Sequence, residues 1–450
     1  MLTNEESLKG ISYEKDFFEN IGCSELNELT YSSQTEQAIQ EKNKEYKRIF
    51  QIIIDNNNLD NLDMLIDYAN DLPYVYAAEY NYYLETCASP NDTYYYEQEY
   101  YLGMEYFEET WDFVTGNNNV KVAIIDSGID ITHSDLCNRV DQNLSCSFIN
   151  GYSALSPSNA HGTNIAGIIG AQGNNNNGIC GTCWDVSLVS LRVMDYGTSV
   201  LLSALIEAID YCDDNNIKII NLSISTQNYS YSLEQSISSY NGLVVCASGN
   251  DGIDIDIVGN ERYPACFTSS NILCVGSLET DSIIASDSNY GLTSVDLFGF
   301  GVDIFTTNLY TNNNPYYYKK VSGTSFSAPQ VAGLAALLLS HNNNLTTQQL
   351  KSAIISYCTQ RTILNGKCVS GGYINAYESF LGVHTHSYSY EYYNEYYHTK
   401  TCDICESTYL AAHSWTLCHG HMNGAYLPNG PIYYMCTKCG ALSPQIPPSI

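Results

Sequence analysis

The fold class this sequence predicts is α/β with a mainly parallel sheet, and two observations carry that expectation. Short runs that are wholly or predominantly apolar recur at Val122–Ile125, Val186–Val193, Ile217–Ile224, Leu243–Ala247 and Leu273–Val275. Strands buried on both faces read this way. Between the runs lie helical patterns such as Val200–Cys212, or Gly/Asn loops, and alternation of strand with helix marks a parallel sheet. Ligands of such sheets bind beyond the carboxyl ends of the strands, so polar residues just after each run are the ones to examine. Asp126 follows Val122–Ile125 directly, and Asn250 follows Leu243–Ala247 after Ser248 and Gly249.

Taken in order, residues 1–45 form an acidic, polar N-terminal extension. Residues 46–88 read as a small α+β unit. Ile49–Ile54 is a β-rich run, Leu59–Tyr68 has a helical period, and Val75–Ala78 is a second strand. A unit this small buries too little surface to be stable alone. The α/β texture occupies 89–382, and a Tyr/Glu/His-rich linker follows at 383–400. Residues 401–443 carry Cys402-Asp403-Ile404-Cys405, Cys418 and Cys436-Thr437-Lys438-Cys439, and 444–450 is a tail.

Charge narrows the partners. With 18 Lys and Arg against 49 Asp and Glu, the net charge is −31. That argues against nucleic acid and anionic membrane surfaces, and favours cationic partners or bound cations. The 17 cysteines suggest an oxidising compartment or metal. Met1-Leu2-Thr3-Asn4-Glu5-Glu6 shows no signal-peptide start, and no run reaches the roughly 18 apolar residues of a membrane span. We expect an extracellular or cell-surface protein whose signal is not visible in this chain.

The stretch Gly323-Thr324-Ser325-Phe326-Ser327-Ala328-Pro329 leads into the apolar run Leu334–Leu339. It predicts a tight turn feeding a buried helix, with Pro329 in the first turn. Ser325 would sit at the helix N-terminus, where free N–H groups favour developing negative charge. By itself the stretch reads equally as a capping serine ahead of a core helix.

Three further stretches alter that balance. Asp126-Ser127-Gly128-Ile129, His161-Gly162-Thr163 with Ala166-Gly167, and Ala247-Ser248-Gly249-Asn250 stand upstream of Gly323-Thr324-Ser325 and Val331-Ala332-Gly333. The chain order acid, imidazole, alcohol is one of the few known solutions to acyl transfer by serine. These motifs resemble those of the subtilisin-like serine peptidases over about residues 50–382. The resemblance implies a subtilisin-like three-layer fold with a small α+β propeptide unit, followed here by a small Cys-rich C-terminal module. It also implies a serine endopeptidase, self-processing between about Leu84 and Asn91, whose propeptide acts as an intramolecular inhibitor. Ser325 would be the nucleophile, His161 the base, Asp126 the group orienting it, and Asn250 the oxyanion donor. Ser223, Ile224, Ser225 and Gly249 would bind substrate, extended peptide pairing with the edge at Asn221–Ser225. Relatives have glycine in place of Ser225 and many have methionine in place of Phe326.

Gly173-Asn174-Asn175-Asn176-Asn177-Gly178-Ile179 resembles a family calcium loop, with Gln98, Asp135 and Asn175 as candidate ligands for Ca2+. Cys180 and Cys183 beside it suit a local disulfide or free thiols. Cys402, Cys405, Cys436 and Cys439 have the spacing of a zinc ribbon, which needs four soft ligands around Zn2+; disulfides are the other reading. The expected partners are polypeptide substrates and the propeptide, the enzyme being a monomer. The alternative is a catalytically silent protein of the same fold that binds surfaces. A sedolisin-type site, which uses a carboxylate in place of histidine, is disfavoured by His161 in its Gly-Thr context.

Overall fold

A computed structural model describes residues 89–384 apart from 196, 198 and 310–316. Outside that range it describes the backbone of short strands alone: Cys23–Leu29, Ile49–Ile54 and eight strands between Tyr388 and Ser443. The chain divides into two compact units, Met1–Thr86 and Cys87–Ile450. In the first, Cys23–Leu29 pairs antiparallel with Ile49–Ile54. The expected helix at Leu59–Tyr68 and strand at Val75–Ala78 lie outside the described residues.

The second unit is organised on a ten-stranded sheet. Its strands are β1 (Lys121–Asp126), β2 (Cys146–Ser147), β3 (Ser187–Arg192), β4 (Ile219–Leu222), β5 (Leu243–Ala247), β6 (Ile272–Thr280) and β7 (Leu297–Phe300). Their order is β7-β6-β5-β4-β1-β3-β2, all parallel. Short pieces at Gly372–Tyr373 and Thr359–Gln360 extend the β7 edge, and Ile283–Ile284 pairs antiparallel with β6. Every residue of β4 and β5 is buried. Full burial on both faces is why these strands lack the apolar/polar alternation of a half-exposed sheet.

Four helices cover the sheet: α1 (His161–Gly170), α2 (Leu202–Asp214), α3 (Tyr231–Ser239) and α4 (Thr324–His341). α1 packs on α4, and α2 on α3, as two helical layers with the sheet between. Apolar residues surround α4 from Phe326 to Leu339, so it has no solvent face and lies on β4, β5 and β6. Within the buried stretch, Gln330 Nε2 donates to the carbonyls of Phe300 and Phe326 at 2.6 and 2.8 Å, while its Oε1 is buried without a hydrogen-bond partner among the described residues.

From β1 the chain moves out to β3 and then returns to place β4 on the other side of β1. The crevice between β1 and β4 is thus a topological switch point, where open α/β sheets bind ligands. Asp126 ends β1, and Ser223 and Asn250 follow β4 and β5. Beyond this sheet, Tyr388–Tyr392, inside the stretch read as a linker, pairs antiparallel with Tyr397–Cys402.

Candidate active site

Asp126 is 1 % exposed at the end of β1. Its Oδ1 accepts the Ser127 N–H at 2.7 Å, and its Oδ2 lies 2.8 Å from His161 Nδ1. His161 opens α1, its own N–H donating to Asn159 Oδ1 at 2.9 Å. The helix can come this close only because residue 162 is glycine. A Cβ there would stand 2.4 Å from the Gly128 carbonyl and 3.2 Å from Asp126 Oδ1. Burial alone would lower the His161 pKa. The charge of Asp126 and its hydrogen bond outweigh that, Lys319 opposes them, and the net direction is upward from the ordinary value.

α4 begins at Thr324, so Pro329 lies past its first turn, not within it as the sequence suggested. Proline has no N–H, so the carbonyl four residues earlier, that of Ser325, loses its helical donor. Ser223 Oγ supplies the replacement at 3.0 Å and is itself held by Asn221 Nδ2 at 3.1 Å. Ser325 is in the first turn, where N–H groups have no intrahelical acceptor. Next to it, Phe326 packs its ring 5.6 Å from that of His161. The two helix starts therefore meet.

Asn250 is exposed beyond β5, and its amide has one orientation. Oδ1 accepts both the N–H and the hydroxyl of Thr324, each at 2.8 Å. That leaves Nδ2 as the end turned away from Thr324. Ser325, Asn250, Gly249, Ser223 and Ser225 line one cleft of about 430 Å³, which Arg262 and Asp251 also line. The sequence brought forward neither Arg262 nor Asp251. They pair across 11 residues of sequence, with Arg262 Nε on Asp251 Oδ2 at 2.8 Å, and no spacing rule announces it. Ile224, proposed with its neighbours, is not among the residues lining the cleft.

The candidate cation ligands fall around one loop. Asp135 is fully buried, accepting from Ile179 N at 3.0 Å, Tyr318 OH at 3.0 Å and Asn177 Nδ2 at 2.6 Å. Gln98 Oε1 accepts from Cys180 N at 3.0 Å, and Asn175 Oδ1 from Asn177 N at 2.8 Å. A second buried acid, Asp92, caps the same loop through Asn174 N at 2.7 Å. Burial pushes Asp135 up to about 6, and the charge of Asp92 adds to the shift. No group of three or more His, Cys, Asp or Glu among the described residues could hold a metal. Cys180 and Cys183 are separate buried thiols, as all ten described cysteines are free. Cys405 and Cys439, and the side chains of Cys402 and Cys436, lie outside the described residues.

A carboxylate–imidazole pair and a helix-borne serine at the switch point of a parallel sheet define an α/β protein of the serine-hydrolase kind. The chain belongs to the subtilase family, whose family model matches residues 117–371. It is 34 % identical over 324 residues to the thermophilic serine proteinase of Bacillus sp. (strain AK1), covering 71 % of this chain and 76 % of that protein. To thermitase of Thermoactinomyces vulgaris it is 31 % identical over 294 residues, 65 % of this chain and 99 % of the relative. A solved protease structure from Pseudoalteromonas arctica PAMC 21717 superposes with a TM-score of 0.58 at 23 % identity, over 66 % of this chain and all of that one. That likeness bears on the fold alone.

Proposed function

We propose that this subtilase is a serine endopeptidase. Ser325 Oγ attacks the scissile carbonyl, and His161 Nε2 takes the hydroxyl proton and returns it to the leaving amine. Asp126 holds Nδ1–H and stabilises the imidazolium. The Asn250 Nδ2 and Ser325 N–H groups donate to the oxyanion. One observation carries the reading: His161 Nδ1 sits 2.8 Å from the buried Asp126 carboxylate, which fixes the tautomer that leaves Nε2 as the base. The orientation of Asn250 supports it, because Thr324 occupies the oxygen end and leaves the donor end for substrate. Peptide in the cleft would be held along the segment after β4.

The unit Met1–Thr86 is read as an inhibitory propeptide, removed by the enzyme itself between about Leu84 and Asn91; its standing as a separate compact unit supports this. The location proposed is extracellular or at the cell surface, for a monomer; no helix among the described residues is long and apolar enough to cross a membrane.

Asp92 and Asp135, the acids that hold the loop at 173–179, would suit a hard cation. Asp92 and Asp135 are buried close enough for one charge to raise the other's pKa, a repulsion that a cation would relieve. Asp92, Asp135 and loop oxygens would hold Ca2+, which would tie the loop down and take no part in the chemistry. The C-terminal zinc reading rests on the spacing of Cys402, Cys405, Cys436 and Cys439 alone.

The test is hydrolysis of an unfolded protein substrate by wild type and Ser325→Ala, with intact mass followed in parallel. Wild type alone should cleave substrate and shed its first unit. Equal cleavage by both proteins would refute the proposal.

A further inference from the structure

The cleft beside Ser325 is lined almost wholly by polar residues. Of the residues lining it, Ala247 is the one with an apolar side chain, while Ser223, Ser225, Thr226 and Gln227 are polar and Arg262 and Asp251 are charged. Arg262 is 6 % exposed, and an arginine keeps its charge at any pH a protein survives. Its segment is fixed to the cleft wall by a reciprocal pair of backbone bonds, Thr226 N to Tyr263 O at 3.0 Å and Tyr263 N to Thr226 O at 2.8 Å.

The guanidinium is only partly used by the protein. Nε donates to Asp251 Oδ2 at 2.8 Å, and Nη1 to the carbonyls of Asn260 and Glu261 at 2.8 and 3.1 Å. Nη2 makes no hydrogen bond to a described residue, and it is not among the sealed side-chain atoms without partners. It is therefore the solvent-reachable end of a guanidinium whose residue lines the cleft, free to donate to a group bound there. A neutral apolar side chain there would cut those donors off from water without replacing the lost bonds, at a cost. An oxygen acceptor would satisfy them with a charge-assisted bond.

Resting on the endopeptidase reading above, we propose that this cleft selects the residue on the acyl side of the scissile bond. It takes a side chain ending in a carboxylate or carboxamide oxygen, which accepts from Arg262 Nη2. Arg262 is thus the specificity-determining residue. Asp251 is the competing group, because its carboxylate faces the same guanidinium and could receive a cationic side chain. Asp251 is 45 % exposed and Arg262 7 % at the side chain, so water screens the acid far more than the base. With the pair neutral overall, discrimination comes from directed N–H donors, and glutamine is accepted along with glutamate. Long-range attraction plays no part, since a net charge of −31 would repel acidic peptides.

The experiment uses the full chain and peptides identical except at that residue: Glu, Gln, Phe or Lys. In wild type, kcat/KM for Glu and Gln should exceed that for Phe and Lys by about tenfold or more, the worth of one charge-assisted hydrogen bond. Arg262→Leu should erase the Glu-to-Phe preference. Asp251→Asn should raise Glu relative to Gln. Each ratio is taken within one preparation, so loss of folded protein cancels. Preference for Phe or Lys in wild type, or a Glu-to-Phe ratio unchanged by Arg262→Leu, overturns the proposal. If Ser325 still reacts with a fluorophosphonate in that case, the endopeptidase reading survives without it. If no peptide is cut and Ser325 is unlabelled, both fall.

Discussion

Ser223 Oγ donates to the carbonyl oxygen of Ser325 at 3.0 Å, filling the place left by the N–H that Pro329 lacks. The proline thus ties the start of α4 to the segment after β4, and the candidate nucleophile is anchored to the wall of its own cleft. Ser223→Ala removes the donor and leaves a carbonyl short of a partner. It should lower stability by about 1–3 kcal/mol, read as a lower urea midpoint at unchanged m-value, and should lower kcat as well. An unchanged midpoint would mean that the bond is idle.

Asn250→Ala should lower kcat with little change in KM, because an amide in the proposed oxyanion role acts on charge that develops only in the transition state. Loss of such a donor in a subtilisin costs ~10²–10³ in kcat, and a drop of that order is expected. Steady-state kinetics on one peptide decides it. A change confined to KM would place Asn250 in ordinary substrate binding.

In the proposed mechanism the Asp126–His161 pair sets the acid limb of the pH profile. The imidazole must be neutral to act as base, and Asp126 raises its pKa. Activity should therefore rise with pH through a value above the ordinary ~6.5, and Asp126→Asn should move that limb to lower pH. For stability the sign is the reverse: the protonated pair contributes fully below the unfolded-state value, and the contribution is lost as pH rises through the folded one. A kcat/KM profile below pH 8 for both proteins checks the assignment.

How much of this was legible beforehand follows from locality. β1 and β5 could be read because each holds a continuous apolar run, and β4 because its run is apolar apart from Asn221; Asp126, His161, Asn250 and Ser325 could be read because each sits in a local motif of small residues and glycines. Arg262 could not be found that way, since its meaning lies in Asp251 and the cleft. Asp92 stands just past the expected cleavage stretch, and nothing local in the sequence sets it against the 173–179 loop as the fold does. Pro329 was misplaced because Gly323 marks the turn clearly but does not reveal that α4 starts at the very next residue. The Cys180–Cys183 spacing allowed a bridge, yet one thiol packs by Gln98 and the other beside Gly116.

Asp135 makes the cation proposal pH-dependent. Its carboxyl is pushed up to about 6, chiefly by burial. Without a cation, the stability tied to its proton is lost as pH climbs from the unfolded value toward 6. Ca2+ binding needs the ionised form, so the gain in Tm between EDTA and excess calcium should be several degrees at pH 8 and small at pH 5. Asp135→Asn should abolish the difference. Equal gains at both pH values would argue against this loop.

Glu105 is a buried acid that the proposed chemistry does not use. Its Oε1 accepts from Phe300 N at 3.0 Å, its Oε2 is sealed without a partner, and burial holds its pKa well above the usual range. The native state then keeps a proton that the unfolded state releases, so stability falls as pH rises above the unfolded value of ~4.3. Urea midpoints at pH 5 and pH 8 should differ more for wild type than for Glu105→Gln. The same difference in both would remove Glu105 as the cause.

The nucleophile itself is tested most directly by treating the full chain with a fluorophosphonate and mapping the adduct by peptide mass. A single adduct on Ser325 is expected, absent in Ser325→Ala and strongly slowed in His161→Ala. An adduct on another residue, or a folded protein that takes none, would contradict the assignment of Ser325.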